Sequence, residues 1–224
     1  MKTALVLLSG GMDSATLLHF VKRRRKVRDL HVLSFAYGQK HSRELDMARW
    51  QARQAGVSEH KIVDLSFLGD LVRGGSALTD KALRVPDLAD LRGRQRRQPP
   101  TYVPNRNMVF LSLAAAYAEA RGIRDVFYGA QAQDEYGYWD CTVDFVKRIN
   151  RVLRLNRGEA VTVHAPFALM KKAEVLRKGL ELGVDYSHTW SCYRGKKTPC
   201  GTCPTCVERR KAFEAAGVQD SLSG

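Results

Sequence analysis

Short apolar runs recur along the chain, separated by stretches in which apolar side chains return every third or fourth position. The runs at 4–8, 30–36, 61–65, 125–129 and 161–164 are too short for buried helices and read as strands. The stretches at 42–55, 107–119, 142–155 and 171–182 carry helical periodicity, the last closed by Gly183, and a further helical pattern follows the first strand. Strands that alternate with helices at this spacing predict an α/β fold, a doubly wound parallel sheet whose ligands bind beyond the strand C-termini. Residues 69–104 break the pattern: Gly74-Gly75, Pro86, Gly93 and Pro99-Pro100 punctuate a basic segment without clear periodicity. A stretch that long is a functional lid or disordered, and a lid over the site is the reading adopted. The expected division is an α/β domain over 1–184, including that lid, and a small C-terminal subdomain over 185–224.

The junction between the first strand and its helix carries the first chemistry. Leu8 leads into Ser9-Gly10-Gly11-Met12-Asp13-Ser14. Two adjacent glycines let backbone N–H groups turn inward onto one anion, and the helix N-terminus that follows adds free donors and partial positive charge. No lysine follows the glycines, so this is not the G-x-x-x-x-G-K-[ST] nucleotide loop. It resembles the PP-loop of the ATP pyrophosphatases, and that likeness implies ATP cleavage with release of pyrophosphate. An ordinary glycine-rich turn of an α/β fold is the plainer alternative.

Composition sets the surroundings. With 224 residues, 44% of them hydrophobic, the chain can bury one substantial core rather than two equal ones. No apolar stretch is long enough to span a bilayer and no signal sequence is expected. The net charge of +14 suits an anionic ligand, and part of the excess lies in two basic runs, 22–28 and 92–97. A solvated helix end and a mobile loop account for these runs; docking of an acidic protein is the alternative. Nucleic acid is the weaker partner, since the runs lack interleaved aromatics. Four of five cysteines cluster as C-x7-C-x2-C-x2-C: Cys192, Cys200, Cys203 and Cys206. An odd count in this arrangement fits a reducing cytoplasm rather than a disulfide framework. Four converging thiolates form a closed tetrahedron typical of structural zinc, which would pin the C-terminal tail; an iron–sulfur cluster is the alternative.

The ordered set SGGMDS (9–14), SFAYGQKH (34–41), SALT (76–79), TYVPNRN (101–107), GYWDC (137–141), KAE (172–174) and SCYRGKKTPCGTCPTC (191–206) resembles the QueC family of 7-cyano-7-deazaguanine synthases over nearly the whole chain. The resemblance implies adenylation of 7-carboxy-7-deazaguanine by ATP, opening of the adenylate by ammonia to an amide, and a second adenylation that ends in the nitrile. It implies a nucleotide site from Leu8, Ser9, Gly10, Gly11, Met12, Asp13 and Ser14 together with Phe35, Arg106 and Asn107. Ser9 and Ser14 would help hold departing pyrophosphate. Asp13 would take Mg2+ or, alternatively, cap its helix, and Lys172, or else Lys171, would neutralise phosphate charge. Tyr37, Gln39, Gln131, Asp134, Tyr136, Tyr138, Trp139 and Asp140 are the candidates for the base, with Asp134 or Asp140 accepting two N–H bonds from its guanine-like edge. Cys141 reads as a pocket-lining or buried thiol. A homodimer is also implied.

One segment departs from the family. QueC sequences read close to D-x-S-G-Y-P-D-C-R where residues 134–142 read D-E-Y-G-Y-W-D-C-T. Tyr136, Trp139 and Thr142 replace serine, proline and arginine, and Asn105 stands for a glycine. Loss of a fixed cation and gain of two aromatics leave the acceptor open. It is ammonia, or a protein amine as in QueC-like ligases of antiphage defence operons. A zinc-containing nucleic-acid binding module is the remote alternative, and it leaves the SGGMDS loop unexplained.

Overall fold

The computed structural model describes residues 2–40, 43–93, 95, 98–132, 138–195 and 197–222. Five parallel strands form one sheet in the order β3-β2-β1-β4-β5: β1 (Thr3–Leu7), β2 (Asp29–Ala36), β3 (Glu59–Asp64), β4 (Asp125–Phe127) and β5 (Thr162–His164). The helices are α1 (Met12–His19), α2 (Arg43–Ala55), α3 (Ser66–Leu71), α4 (Arg106–Glu119), α5 (Val143–Leu153), α6 (Lys172–Glu181) and α7 (Pro204–Ala216). The doubly wound parallel sheet read from the sequence is thus the observed one.

Both faces of the sheet are buried, which explains why its strands read as continuous apolar runs. Ala4, Val6 and Leu8 point to one side, where Leu17 and Leu18 of α1, Ala48 and Ala52 of α2 and Val175 of α6 close over them. Leu5 points to the other, against Leu111, Ala114, Ala115 and Ala118 of α4 and Phe145 of α5. A slip of one residue in β1 would exchange these two sets, so its register is fixed from both sides.

The strand order dictates where a ligand binds. The chain winds outward from β1 through β2 to β3, then returns to place β4 on the opposite side of β1. The loops that follow β1 and β4 therefore diverge from adjacent strands and leave a crevice at this switch point.

Two features differ from the sequence reading, the end of β4 and two further helices. Strand β4 ends at Phe127, and Tyr128 and Gly129 turn away into the crevice instead of continuing it. Helices α3 and α7 are not among those read from the sequence: α3 follows β3 directly through Leu65, and α7 begins inside the cysteine motif and runs past it to Ala216. The first basic run finishes α1 as a π-helical turn (Phe20–Arg24), with Arg24 paired to Glu181 and Arg23 donating to the Leu182 carbonyl. Of the second run, Arg94, Arg96 and Arg97 lie outside the described residues. The described part of 69–104 opens with the end of α3, holds one 3-10 turn at Leu88–Asp90 and is packed onto the rest of the fold. Ala77 and Val85 pack on Trp190 and the cysteines, while Leu78 and Val103 enter the main core. No helix among the described residues is long and apolar enough to cross a membrane.

Candidate active site

The crevice encloses about 240 Å³ of water-accessible space between the β1 loop, the β4 loop, the start of α2 and the start of α4. Leu8, Ser9, Gly11, Asp13, Ser14, Phe35, Tyr37, Gln39, Arg106, Asn107, Gln131 and Tyr138 line it.

The phosphate-loop wall is knitted from near neighbours. Ser14 Oγ accepts the Ser9 N–H (3.2 Å) and donates to the Gly11 carbonyl (3.1 Å), and it lies 3.0 Å from Ser9 Oγ. The Gly11 N–H donates to Ser9 Oγ (3.3 Å). Gly11 is the N-cap of α1 and supplies no side-chain cap, so the first N–H groups of this helix stay available to an anion. Gly10 does not line the crevice. It has φ +88°, and a Cβ there would fall 1.9 Å from the Glu44 carbonyl oxygen, so its hydrogen lets α2 close against the loop. Gly129 does the same for the β4 loop, with a Cβ position 3.3 Å from the Ser14 nitrogen. Met12 points away from the crevice into a hydrophobic cluster with Leu176 and Phe213.

Asp13 and Lys172 meet across 159 residues of sequence. Lys172 Nζ, in the first turn of α6, lies 3.2 Å from Asp13 Oδ2 and 3.4 Å from Glu208 Oε2 of α7. Burial works against the ammonium, but the two carboxylates outweigh it and hold its pKa above the usual lysine range. Lys171 faces outward, its backbone N–H donating to Glu174 (2.7 Å). Asp13 Oδ1 is buried and has no hydrogen-bond partner among the described residues. An orphaned carboxylate oxygen beside a phosphate loop fits a hard cation such as Mg2+, which prefers one or two carboxylates plus phosphate oxygens.

The facing wall is assembled from distant segments. Asn105 takes the left-handed conformation at φ +54°, which an asparagine tolerates at small cost, and starts α4. Arg106 then reaches the Tyr37 hydroxyl (3.2 Å). Burial would lower its pKa, but Tyr37, Tyr193, Tyr138 and Asp140 outweigh that and raise it, so the guanidinium is a fixed cation in the cleft. Asn107 donates its backbone N–H to Asp140 Oδ2 (3.3 Å) and its side-chain amide to Cys141 Sγ (3.4 Å). Asp140 is 2% exposed and stands behind this wall, its pKa raised by burial against the pull of Arg106. Cys141 lines the crevice, and burial together with Asp140 pushes its thiol up to about 12, which leaves it protonated and inert as a nucleophile. Gln131 is buried, with Oε1 unpartnered among the described residues. Gln39 is committed locally, accepting the Tyr37 N–H (2.7 Å) and donating to the Phe35 carbonyl (3.2 Å). Trp139 is not part of the lining: its indole N–H donates to the Tyr102 hydroxyl (2.9 Å) and it packs edge-on against Phe145. Asp134 and Tyr136 lie outside the described residues.

Sequence reasoning missed Glu44, Phe110, Tyr128 and Tyr193, all of which line the crevice. Phe110 and Tyr128 carry the apolar signature of core positions. Glu44 looks like an ordinary acidic residue in a first helical turn. Tyr193 sits beside a cysteine ligand candidate, and the cysteines draw the eye from it.

The four cysteine Sγ atoms lie within 4.8 Å of one another. A tetrahedral zinc site with Zn–S bonds of about 2.3 Å has sulfur–sulfur edges of about 3.8 Å, so the set is near the required size. Backbone N–H groups of Cys200 and Cys203 donate to Cys192 Sγ and Cys200 Sγ at 3.4 and 3.3 Å. Donors aimed at sulfur favour thiolates, the form that holds a metal. The centre stands outside the crevice but is tied to it: Trp190 N–H donates to the Gly10 carbonyl (3.0 Å), and Glu208 follows the last cysteine by two residues.

A doubly wound parallel sheet with a glycine-rich, anion-ready loop at its switch point and a four-cysteine cluster of metal-site size defines the class of this α/β protein. The family model for queuosine biosynthesis protein QueC matches residues 3–217, and the chain belongs to that family. It is 43% identical to the 7-cyano-7-deazaguanine synthase of Marinobacter nauticus (99% of this chain, 96% of that one), 47% to that of Caldicellulosiruptor saccharolyticus (98% and 94%) and 48% to that of Cupriavidus pinatubonensis (98% and 96%). Among solved structures it is similar to an NH3-dependent NAD synthetase from Campylobacter jejuni, with TM-score 0.49 and 15% identity over 83% of this chain and 66% of that one.

Proposed function

We propose that the protein is an ATP-dependent enzyme that adenylates 7-carboxy-7-deazaguanine, releases pyrophosphate, and converts the activated acid to the amide and then the nitrile. The observation that carries this reading is the convergence, in a QueC-family chain, of the crevice-lining loop residues Ser9, Gly11 and Ser14 with Asp13, which also lines the crevice and is paired with Lys172. A carboxylate becomes an electrophile only when one of its oxygens is made a leaving group. Attack of that oxygen on the α-phosphate does this and sets pyrophosphate free. Open N–H groups at the α1 N-terminus, with Ser9, stabilise the charge that gathers on the leaving phosphates. Lys172 supplies a permanent cation in reach of the same anion. Mg2+, when bound through Asp13, neutralises phosphate charge. Arg106 and Gln131 offer a cation and an amide to the planar acid, and Phe35 with Phe110, stacked at 4.3 Å between centroids, gives it an aromatic floor.

The test is incubation with 7-carboxy-7-deazaguanine, ATP, Mg2+ and ammonium, followed by mass spectrometry. Expected products are AMP, pyrophosphate, the amide and then the nitrile; failure to form AMP in the presence of the acid would reject the reading. A protein amine in place of ammonia is the second reading, favoured by the net charge of +14, which suits docking an acidic partner. It predicts acid-dependent AMP formation with no nitrile from ammonium.

A further inference from the structure

Adenylation leaves a proton problem that the loop and Lys172 do not solve. An amine that opens the adenylate becomes positively charged at nitrogen, and the amide forms only when a proton leaves. Lys172 is held charged by two carboxylates, Cys141 is kept protonated and Asp140 is sealed behind Asn107, so none of the three is a base for that step.

Glu44 is placed differently. It lines the crevice from the first turn of α2, and its carboxyl has no hydrogen bond or ion pair among the described residues. Its backbone is fixed against the phosphate loop, since the Glu44 carbonyl fills the space beside Gly10 that a Cβ would need. The helix start is held from the other side by Arg43, whose guanidinium sits 4.7 Å over the Trp190 ring and donates to the Lys197 carbonyl (2.6 Å). A carboxyl mounted rigidly beside the loop, open to the crevice and without a hydrogen-bond or ion-pair partner among the described residues, is positioned for proton transfer rather than for structure. We propose that Glu44 is the general base of the amide-forming step, taking the proton from the amine as it displaces AMP.

In that step the nitrogen lone pair forms the C–N bond at the acyl carbon. The C–O bond to the phosphoryl oxygen breaks with its electron pair going to AMP, and one N–H proton passes to the Glu44 carboxylate. Three charged or titratable groups face it: Arg106 from α4, Tyr37 from the end of β2 and Tyr193 from the C-terminal tail. Burial raises the Glu44 pKa to about 7 while Arg106 opposes the rise, so near neutrality it exchanges protons readily.

The proposal rests on the adenylating function above, and one experiment separates their failures. Exchange of labelled pyrophosphate into ATP that depends on the deazaguanine acid reads adenylation, and mass spectrometry of the amide reads transfer. If the unsubstituted protein shows no such exchange, the functional reading falls, whatever Glu44 does. With exchange present, Glu44→Gln should leave it within about threefold while amide formation drops about 10²-fold or more. Hydroxylamine, a stronger nucleophile unprotonated at neutral pH, should recover much of the loss as the hydroxamate. Because the carboxylate is the active form, the advantage of the unsubstituted protein over Glu44→Gln in amide formation from ammonium should shrink as pH drops through about 7. Unchanged amide formation would overturn the proposal. So would a parallel loss of exchange and amide, which would make Glu44 a substrate-holding group.

Discussion

The two walls of the crevice are built in opposite ways. The phosphate-loop wall is local: Ser9, Gly11 and Ser14 bond to one another within six residues, and the helix dipole comes with the turn that follows. The facing wall draws Tyr37, Arg106, Tyr128, Cys141 and Tyr193 from five separate segments, with Arg106 bonded to Tyr37, Tyr128 to the Asp140 carbonyl and Cys141 to Asn107. A local wall serves a ligand whose phosphates do not change, whereas an assembled wall can be altered one segment at a time. Of the positions at which the sequence reading sets this chain apart from its family, Asn105, Trp139 and Thr142 lie on or behind the second.

Metal removal is the largest perturbation, because it tests whether the walls are independent at all. The cysteine centre anchors α7, which presents Glu208 to Lys172, and the same tail carries Trp190 to Gly10 and Tyr193 to the far wall. Zinc bound by four thiolates contributes about 10 kcal/mol to such a tail. Stripping it with a strong chelator should lower the melting temperature and abolish pyrophosphate exchange, with zinc restoring both. A protein that keeps full exchange without metal would show that the walls stand without the tail.

Lys172→Ala should come next. It removes the cation between Asp13 and Glu208 and leaves two part-buried carboxylates facing each other. The expected loss in adenylation is about 10²- to 10³-fold, measured by pyrophosphate exchange, with a stability cost of about 3 kcal/mol. Lys171→Ala, one residue away but turned outward, should do little to either.

Gly10→Ala probes the closeness of α2 and the loop. The methyl group meets the Glu44 carbonyl at 1.9 Å on a backbone already at φ +88°, so loop or helix must move. A loss of about 2–4 kcal/mol is expected in denaturant unfolding, with adenylation falling as well. Gly129→Ala, whose Cβ would meet the Ser14 nitrogen at 3.3 Å, should cost less stability and still weaken pyrophosphate exchange, since it presses on the loop directly.

What could be read from the sequence follows the same division. The sheet was legible because period-two burial on both faces leaves uninterrupted apolar runs, and the loop was legible because its whole function lies in one hexapeptide. Cysteines at x2 spacing are equally local. Glu44 and Tyr193 were not legible: an acid in a first helical turn and an aromatic beside a cysteine each have ordinary explanations, and only tertiary packing turns them toward the crevice. Asp140 shows the converse. Its position after the fourth strand suggests a reader of the base, yet packing places it behind Asn107, where it accepts a backbone N–H and sets the start of α4.

Thr142 gives the smallest effect and the most direct check on the second wall. It stands where the sequence reading expects the family to carry an arginine, a change that points to a lost cation in the site. In the structure its side chain is occupied at the head of α5, accepting the Phe145 N–H (3.2 Å) and donating to the Trp139 carbonyl (2.8 Å). A threonine N-cap contributes about 1 kcal/mol, so Thr142→Ala should lower unfolding stability by about that much and Thr142→Ser should restore most of it. Adenylation should be unchanged in both, because Thr142 does not line the crevice. If Thr142→Arg instead alters which amine is accepted, while Thr142→Ala does not, an arginine at the head of α5 reaches the acceptor, and the assembled wall extends to the segment that carries Trp139.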